Sequence, residues 1–188
     1  MSMLEQRLQQ QFFDSADLTY ACAEALAKPM ADAVHALVGS ITAGGKVLSF
    51  GEDDCALHAH HLATKLLGRF ERDRPGLAAL ALRTDGGDLW MRQMETLAHP
   101  GDVLLALATG DAALGLLLPV IANAHAKDMT VVVITGRNTV LKDKLAETDV
   151  HITVPHERKA RIHEVQWLIL HSLCDAVDLQ LLGEQDNP

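Results

Sequence analysis

Three consecutive acidic side chains follow an apolar run that ends at Phe50. Residues 51–55 read Gly-Glu-Asp-Asp-Cys, and a helical pattern begins directly after them. In an open α/β sheet, ligands bind beyond the carboxyl ends of the strands, where loops lead into helix N-termini. Carboxylates placed there repel phosphate, although acidic residues also serve as solvated helix caps. The candidate ligand contacts in this loop are Gly51, Asp53, Asp54 and Cys55.

Two further candidates follow other predicted strands. Asp85 comes after the apolar run 77–82, and Thr109 comes after the run 103–107. Both are interpreted as ligand contacts, because the carboxyl ends of parallel strands share one edge of a sheet. Cys55 stands where a helix N-terminus would stabilise a thiolate, but the adjacent carboxylates oppose this, so an inert, packed thiol is favoured.

Histidines are concentrated in two predicted helices. His58, His60 and His61 lie in the helix after the acidic loop, and His163 and His171 lie in the last helix. His163 and His171 can share a face, since eight residues span little more than two helical turns. His58 and His60 are predicted to point away from His61, towards the surface or an interface.

The N-terminal quarter of the chain is predicted to be helical. Apolar residues recur at three- and four-residue steps from Leu4 to about Leu26, and a second helix is predicted from about Pro29 to Thr42. This arm either covers the sheet or, as we favour, forms an oligomer interface.

Five short apolar runs then alternate with helical stretches, at residues 46–50, 77–82, 103–107, 130–135 and 150–154. Runs that are apolar on both faces are typical of buried parallel strands, and the alternation implies right-handed crossovers. We therefore predict a single α/β domain over residues 1–188. It consists of a helical arm (1–43), a doubly wound, flavodoxin-like core with a five-stranded parallel sheet flanked by helices (44–182) and a flexible tail (183–188).

Composition excludes several classes of protein. The formal net charge of −9 repels nucleic-acid backbones, and the Lys and Arg residues form no basic run, so direct nucleic-acid binding is not expected. No apolar run is long enough for a membrane span, and the charged N-terminus does not resemble a signal peptide. The three cysteines lack the spacing of a metal or redox pair, which favours reduced thiols in a cytoplasmic protein.

Several segments together resemble the SIS-domain family of phosphoheptose isomerases. They are Gly44-Gly45-Lys46, Gly68-Arg69-Phe70 with Arg74-Pro75, and Arg161-Ile162 with Glu164. The segment 172–178 is most similar to the subgroup of proteins that associate with the bacterial replication initiator. The resemblance covers nearly the whole chain and implies a homotetramer that binds a sugar or sugar phosphate.

This chain departs from the family pattern at positions that take part in the family's chemistry. Lys65 stands where the family has its carboxylate base, and a protonated lysine cannot accept a proton. Of the hydroxyls in the family's second phosphate loop only Thr109 remains, and the segment between Asp85 and Gly101 is short. The family's metal-binding isomerases imply a zinc site at His61, His163 and His171, although Lys65 would lie close to the cation.

These departures lead to an expectation of binding rather than catalysis. The preferred hypothesis is a non-catalytic scaffold that gathers replication initiator proteins, with Leu181 and Leu182 as candidate partner contacts. One alternative is a phosphoheptose isomerase that converts sedoheptulose 7-phosphate to a heptose 7-phosphate, with His171 as the candidate catalytic residue. Another is a sensor of a less anionic sugar.

Overall fold

A parallel β-sheet forms the centre of the protein in the computed structural model, which describes residues 1–84, 87–110, 114–137 and 140–184. Its strands are β1 Val47–Gly51, β2 Ala79–Ala81, β3 Val103–Leu107, β4 Thr130–Thr135 and β5 Val150–Thr153. They are arranged in the order β2-β1-β3-β4-β5, and every neighbouring pair is parallel. This is the doubly wound, flavodoxin-like order, so the predicted fold class is confirmed.

Helices cover both faces of the sheet. They are α1 Met3–Thr42, α2 Cys55–Leu67, α3 Leu89–Leu97, α4 Leu114–Ala126 and α5 Lys159–Leu182. Along β1, Val47 packs into the apolar cluster formed with α1, α2 and α5, whereas Leu48 and Phe50 pack into the cluster formed with α3 and α4. Burial on both faces explains why the strands read as continuous apolar runs.

The N-terminal arm is one continuous helix rather than the two predicted. Ser2 caps α1 through a reciprocal capping box with Glu5, and Pro29 lies within the helix. A proline in a helix interior removes a hydrogen bond and costs about 3 kcal/mol. Packing of α1 against α5 offsets this cost, because Leu26 and Ala33 on either side of the proline are buried in the shared core.

A buried ion pair joins the end of α2 to α5. The Nε of Arg74 lies 2.5 Å from Oδ1 of Asp178, and both side chains are 1% exposed. Arg74 also donates to the carbonyl oxygens of Lys65 (3.1 Å) and Leu66 (2.9 Å) in the last turn of α2. These bonds fix the two helices that carry the candidate histidines relative to each other.

The three cysteines are free and buried. Within the described ranges, no helix is both long enough and apolar enough to cross a membrane. The last four residues of the predicted tail lie outside the described part of the chain.

Candidate functional site

A small pocket lies at the carboxyl edge of the sheet, beside the end of β1. The strands that follow β1 in the chain lie on opposite sides of it, β2 on one side and β3 on the other. The pocket is lined by Glu52, Asp53, Asp54, Cys55, Thr109, Lys159 and His163. The sequence-based candidates Asp53, Asp54, Cys55 and Thr109 are therefore brought together. Asp85 lies outside the described residues. Such a switch point is the general ligand site of open α/β sheets.

The backbone of the acidic loop is tightly constrained. A Cβ at Gly51 would lie 2.2 Å from the carbonyl oxygen of Cys55, so only glycine fits here without moving the start of α2. Asp53 has a left-handed φ of 50°. Asp54 occupies the N-cap position of α2 but its side chain makes no capping hydrogen bond. The carboxylate of Asp54 is 84% exposed, so it is available to a ligand.

Gln166 holds the side chain of Cys55 and was not identified from the sequence. Its Nε2 donates to the carbonyl oxygens of Ala108 (2.9 Å) and Ile134 (3.3 Å), and its Oε1 lies 3.8 Å from Cys55 Sγ. Burial, followed by the charges of Asp54 and Asp53, raises the pKa of Cys55 to about 12, so the free side chain is a neutral thiol. An amide among the buried apolar residues of α5 was the signal that could have revealed this role.

His58 does not point to the surface as predicted. It is 3% exposed, and its ring stacks on that of His163 with centroids 4.9 Å apart. Its Nδ1 lies 3.2 Å from the carbonyl oxygen of Asp54. Burial lowers the pKa of His58, so the ring is neutral. His60 is exposed.

A second histidine pair lies further along the same two helices. Nε2 of His61 and Nε2 of His171 are 3.0 Å apart, so one ring donates a hydrogen bond to the other. Burial, followed by the nearby His171 and Lys65, lowers the pKa of His61. The hydrogen bond between the two rings allows a proton to pass from one to the other, and the lowered pKa of His61 favours its neutral, proton-accepting form.

Trp167 packs between the two groups of histidines. Its ring centroid lies 4.5 Å from the centroid of His58 and 4.5 Å from that of His61. Sequence analysis did not assign it a role, although it lies one helical turn from both His163 and His171.

The three histidines that the resemblance implies as zinc ligands are not brought together as one set. Nε2 of His61 and Nε2 of His171 lie 3.0 Å apart, but His163 stacks on His58 and lies 3.9 Å from Asp54 through its Nε2. Among the described residues, the group of metal-ligating side chains that does converge contains His163 but neither His61 nor His171. No catalytic step is therefore derived from a metal at those three positions.

The candidate partner contacts lie at the end of α5. Leu181 packs against the cluster shared by α1 and α5, and Leu182 is 44% exposed. Neither lies among the residues that line the acidic pocket.

A family model described as "SIS domain" matches residues 11–136, which is more than half of the chain. The chain belongs to the SIS-domain family. The phosphoheptose isomerase of Methylibium petroleiphilum is 55% identical over 199 aligned positions, covering 99% of this chain and 99% of that protein. The alignment is longer than the 188 residues of this chain, so it includes positions where this SIS-domain protein has no residue.

Solved structures agree with this assignment. A phosphoheptose isomerase from Francisella tularensis has a TM-score of 0.85 and 31% identity, covering 95% of this chain and 99% of that one. The phosphoheptose isomerase from Neisseria gonorrhoeae has a TM-score of 0.84 and 29% identity, covering 94% and 99%.

The preferred hypothesis of a non-catalytic initiator scaffold is wrong. It was based on the substituted base, the acidic loop and the similarity of the segment 172–178 to the initiator-associating subgroup, but a relative that shares more than half of its residues over practically the whole chain is a phosphoheptose isomerase. The resemblance to phosphoheptose isomerases is confirmed, whereas the finer similarity to initiator-associating proteins is not shown by these relatives. Departures at a few positions were too narrow a basis for preferring a scaffold to the isomerase alternative in this SIS-domain protein.

Proposed function

We propose that the protein is a cytoplasmic sugar-phosphate isomerase of the phosphoheptose type, which interconverts sedoheptulose 7-phosphate and a heptose 7-phosphate. The observation that carries this proposal is the 55% identity to the Methylibium phosphoheptose isomerase across 99% of both chains. The pocket at the switch point of the sheet supports it, because it places polar side chains where ligands of open α/β sheets bind.

The His61–His171 pair is proposed to transfer the proton. Aldose–ketose isomerisation moves a proton between adjacent carbons, so a side chain must accept it from one carbon and return it to the other. Lys65 is unsuited to this task as an ammonium. His61 and His171 are partly buried and 3.0 Å apart, and the lowered pKa of His61 keeps its ring neutral and able to accept a proton.

The acidic loop is proposed to bind hydroxyl groups of the sugar chain rather than its phosphate. Carboxylates accept hydrogen bonds from hydroxyls and repel a dianion. Lys159 lines the same pocket and offers a cationic contact for the phosphate end of the substrate. In this arrangement the substitution of acidic residues into the loop changes the orientation of the substrate and does not prevent its binding.

The experiment that tests the proposal is turnover of sedoheptulose 7-phosphate, followed by nuclear magnetic resonance. We expect His171→Ala and His61→Ala to lower kcat by about 100-fold or more, the usual contribution of a general acid–base group. His60→Ala, on the exposed side of the same helix, should retain the activity of the unmodified protein. Absence of turnover by folded protein would contradict the proposal, and thermal stabilisation by neutral sugars alone would favour the sensor alternative.

A homotetramer is proposed as the working form. Between α1 and α5 lies an open, largely apolar groove bordered by Leu26, Met30 and Ile169. The first turns of α1 also expose large apolar side chains, among them Leu8 and Phe12. Such surfaces are typical of interfaces between subunits. Light scattering should give four times the mass of one chain, and a monomer at micromolar concentration would contradict this assembly.

A further inference from the structure

Three metal-binding side chains converge at the start of α2, separately from the His61–His171 pair. One ligand atom from each of Cys55, His58 and His163 lies within 4.8 Å of the other two. Cys55 and His58 are one helical turn apart on α2, and His163 reaches them from α5. Cys55 and His58 are each 3% exposed. The group therefore lies in a largely water-excluded place.

Each imidazole of this group has one nitrogen directed at Asp54 and one nitrogen without a hydrogen bond of ordinary geometry. In His58, Nδ1 lies 3.2 Å from the Asp54 carbonyl oxygen, and the buried Nε2 makes no hydrogen bond of ordinary geometry to a described residue, although the backbone of His163 lies near the ring. In His163, Nε2 lies 3.9 Å from Asp54 Oδ2, and the buried Nδ1 is likewise without a partner among the described residues. A buried nitrogen that lacks a hydrogen-bond partner destabilises the folded protein, so a ligand at both nitrogens would be favourable.

We propose that Cys55, His58 and His163 bind a zinc ion, a site different from the one implied at His61, His163 and His171. One thiolate and two imidazoles form a donor set typical of zinc in proteins. Asp54 would act as the outer group that orients ligating histidines through their second nitrogen. The acidic loop then has a second role, since its carboxylates stabilise a nearby cation.

Binding requires a small contraction and the release of one proton. Tetrahedral coordination at zinc places neighbouring donor atoms about 3.5 Å apart, so atoms now up to 4.8 Å apart must approach by as much as about 1.3 Å, and the stacked rings of His58 and His163 must rotate towards the ion. The Cys55 thiol gives up its proton to solvent as the sulfur–zinc bond forms, and each imidazole binds through a nitrogen that carries no proton. Because Cys55 and His163 both line the acidic pocket, a zinc ion held by them would lie beside that pocket.

Metal binding is measured on the full, untagged chain after removal of metals with a chelator. We expect one zinc ion per chain by equilibrium dialysis and elemental analysis. Cobalt, used in place of zinc, should show the charge-transfer absorption of a cobalt–thiolate bond. Cys55→Ser should abolish this absorption, and His163→Ala, at a partly exposed position, should weaken zinc binding at least tenfold.

Matched controls separate this site from the other cysteines and histidines. Cys174→Ser removes another buried thiol and should leave both signals unchanged, as should His171→Ala, which breaks the other histidine pair. Circular dichroism verifies that each variant is folded. The proposal would be overturned if the protein bound cobalt without the thiolate absorption, or if it did not bind stoichiometric zinc. It would also be overturned if metal binding were lost in His171→Ala and retained in His163→Ala. Because metal content is read directly, the result does not depend on isomerase activity.

Discussion

Replacing Arg74 by methionine tests whether the buried ion pair holds α2 against α5. The substitution keeps much of the apolar volume but removes the guanidinium from Asp178, whose side chain is 1% exposed. It also removes a donor from the carbonyl oxygens of Lys65 and Leu66 at the end of α2, although Leu66 still accepts from the backbone N–H of Leu77. The end of the helix that carries His61 then loses a buried polar connection to the helix that carries His171.

The expected loss is about 3–5 kcal/mol in the free energy of unfolding. This is the usual cost of removing one partner of a buried ion pair, because the other charge remains buried without compensation. For a chain of this length it corresponds to a decrease of roughly 6–20 °C in Tm. Replacing both partners, as Arg74→Met with Asp178→Leu, should recover most of the loss, since an apolar pair of similar volume carries no buried charge.

Urea denaturation at one fixed protein concentration measures these differences, because assembly makes stability depend on concentration. Arg69→Ala is the matched control, since Arg69 pairs with Asp73 and these side chains are 66% and 87% exposed. Arg69→Ala should lower the free energy of unfolding by less than about 1 kcal/mol. A stabilising role for the buried pair would be refuted if Arg74→Met lowered the free energy of unfolding no more than Arg69→Ala does. It would also be refuted if the double variant were less stable than Arg74→Met.

Three further outcomes follow from the geometry. In metal-free protein, iodoacetamide should modify Cys55 only slowly at about pH 8, because burial and the charge of Asp54 raise its pKa to about 12; rapid labelling seen by mass spectrometry would contradict this. Gly51→Ala should lower the midpoint of urea unfolding because the added Cβ meets backbone at 2.2 Å, whereas Gly39→Ala, with open space around it, should not. Burial lowers the pKa of His151 from 6.5, so stability should fall as the pH decreases below about 6.5, by at most about 1.4 kcal/mol per pH unit from this residue. A melting series should therefore be flatter for His151→Asn, and an unchanged slope would exclude a contribution from this ring.

The strands could be predicted closely because strands that are buried on both faces consist of continuous runs of apolar residues. The runs 103–107 and 130–135 coincide with β3 and β4. The short edge strand β2 is only Ala79–Ala81 within the predicted run 77–82, and among the described strands it pairs with β1 alone. The prediction of a break in α1 at Pro29 was wrong, because local helix propensity carries no information about packing against α5, a helix distant in sequence.

The sequence predicted which loops form the candidate site, but not which of its side chains contact each other. Strand order places Asp54, Cys55 and Thr109 at one edge of the sheet, and sequence reasoning reached them by that rule. Which histidines contact each other depends on the rotation and spacing of α2 against α5. Trp167 between the rings sets that geometry, and spacing along each helix does not reveal it. The scaffold hypothesis was wrong because the replaced base at Lys65, the acidic loop and the similarity of the segment 172–178 were given more weight than the resemblance to phosphoheptose isomerases along the whole chain.

The most direct test of the account is isomerisation of sedoheptulose 7-phosphate in heavy water. Proton transfer by a side chain that exchanges with solvent should place deuterium on the carbon next to the carbonyl of the heptose phosphate, detected by nuclear magnetic resonance and mass spectrometry. The account predicts this incorporation with the unmodified protein and its loss in His171→Ala. A folded, assembled protein that neither converts the substrate nor exchanges its carbon-bound hydrogen would contradict the assignment as an isomerase.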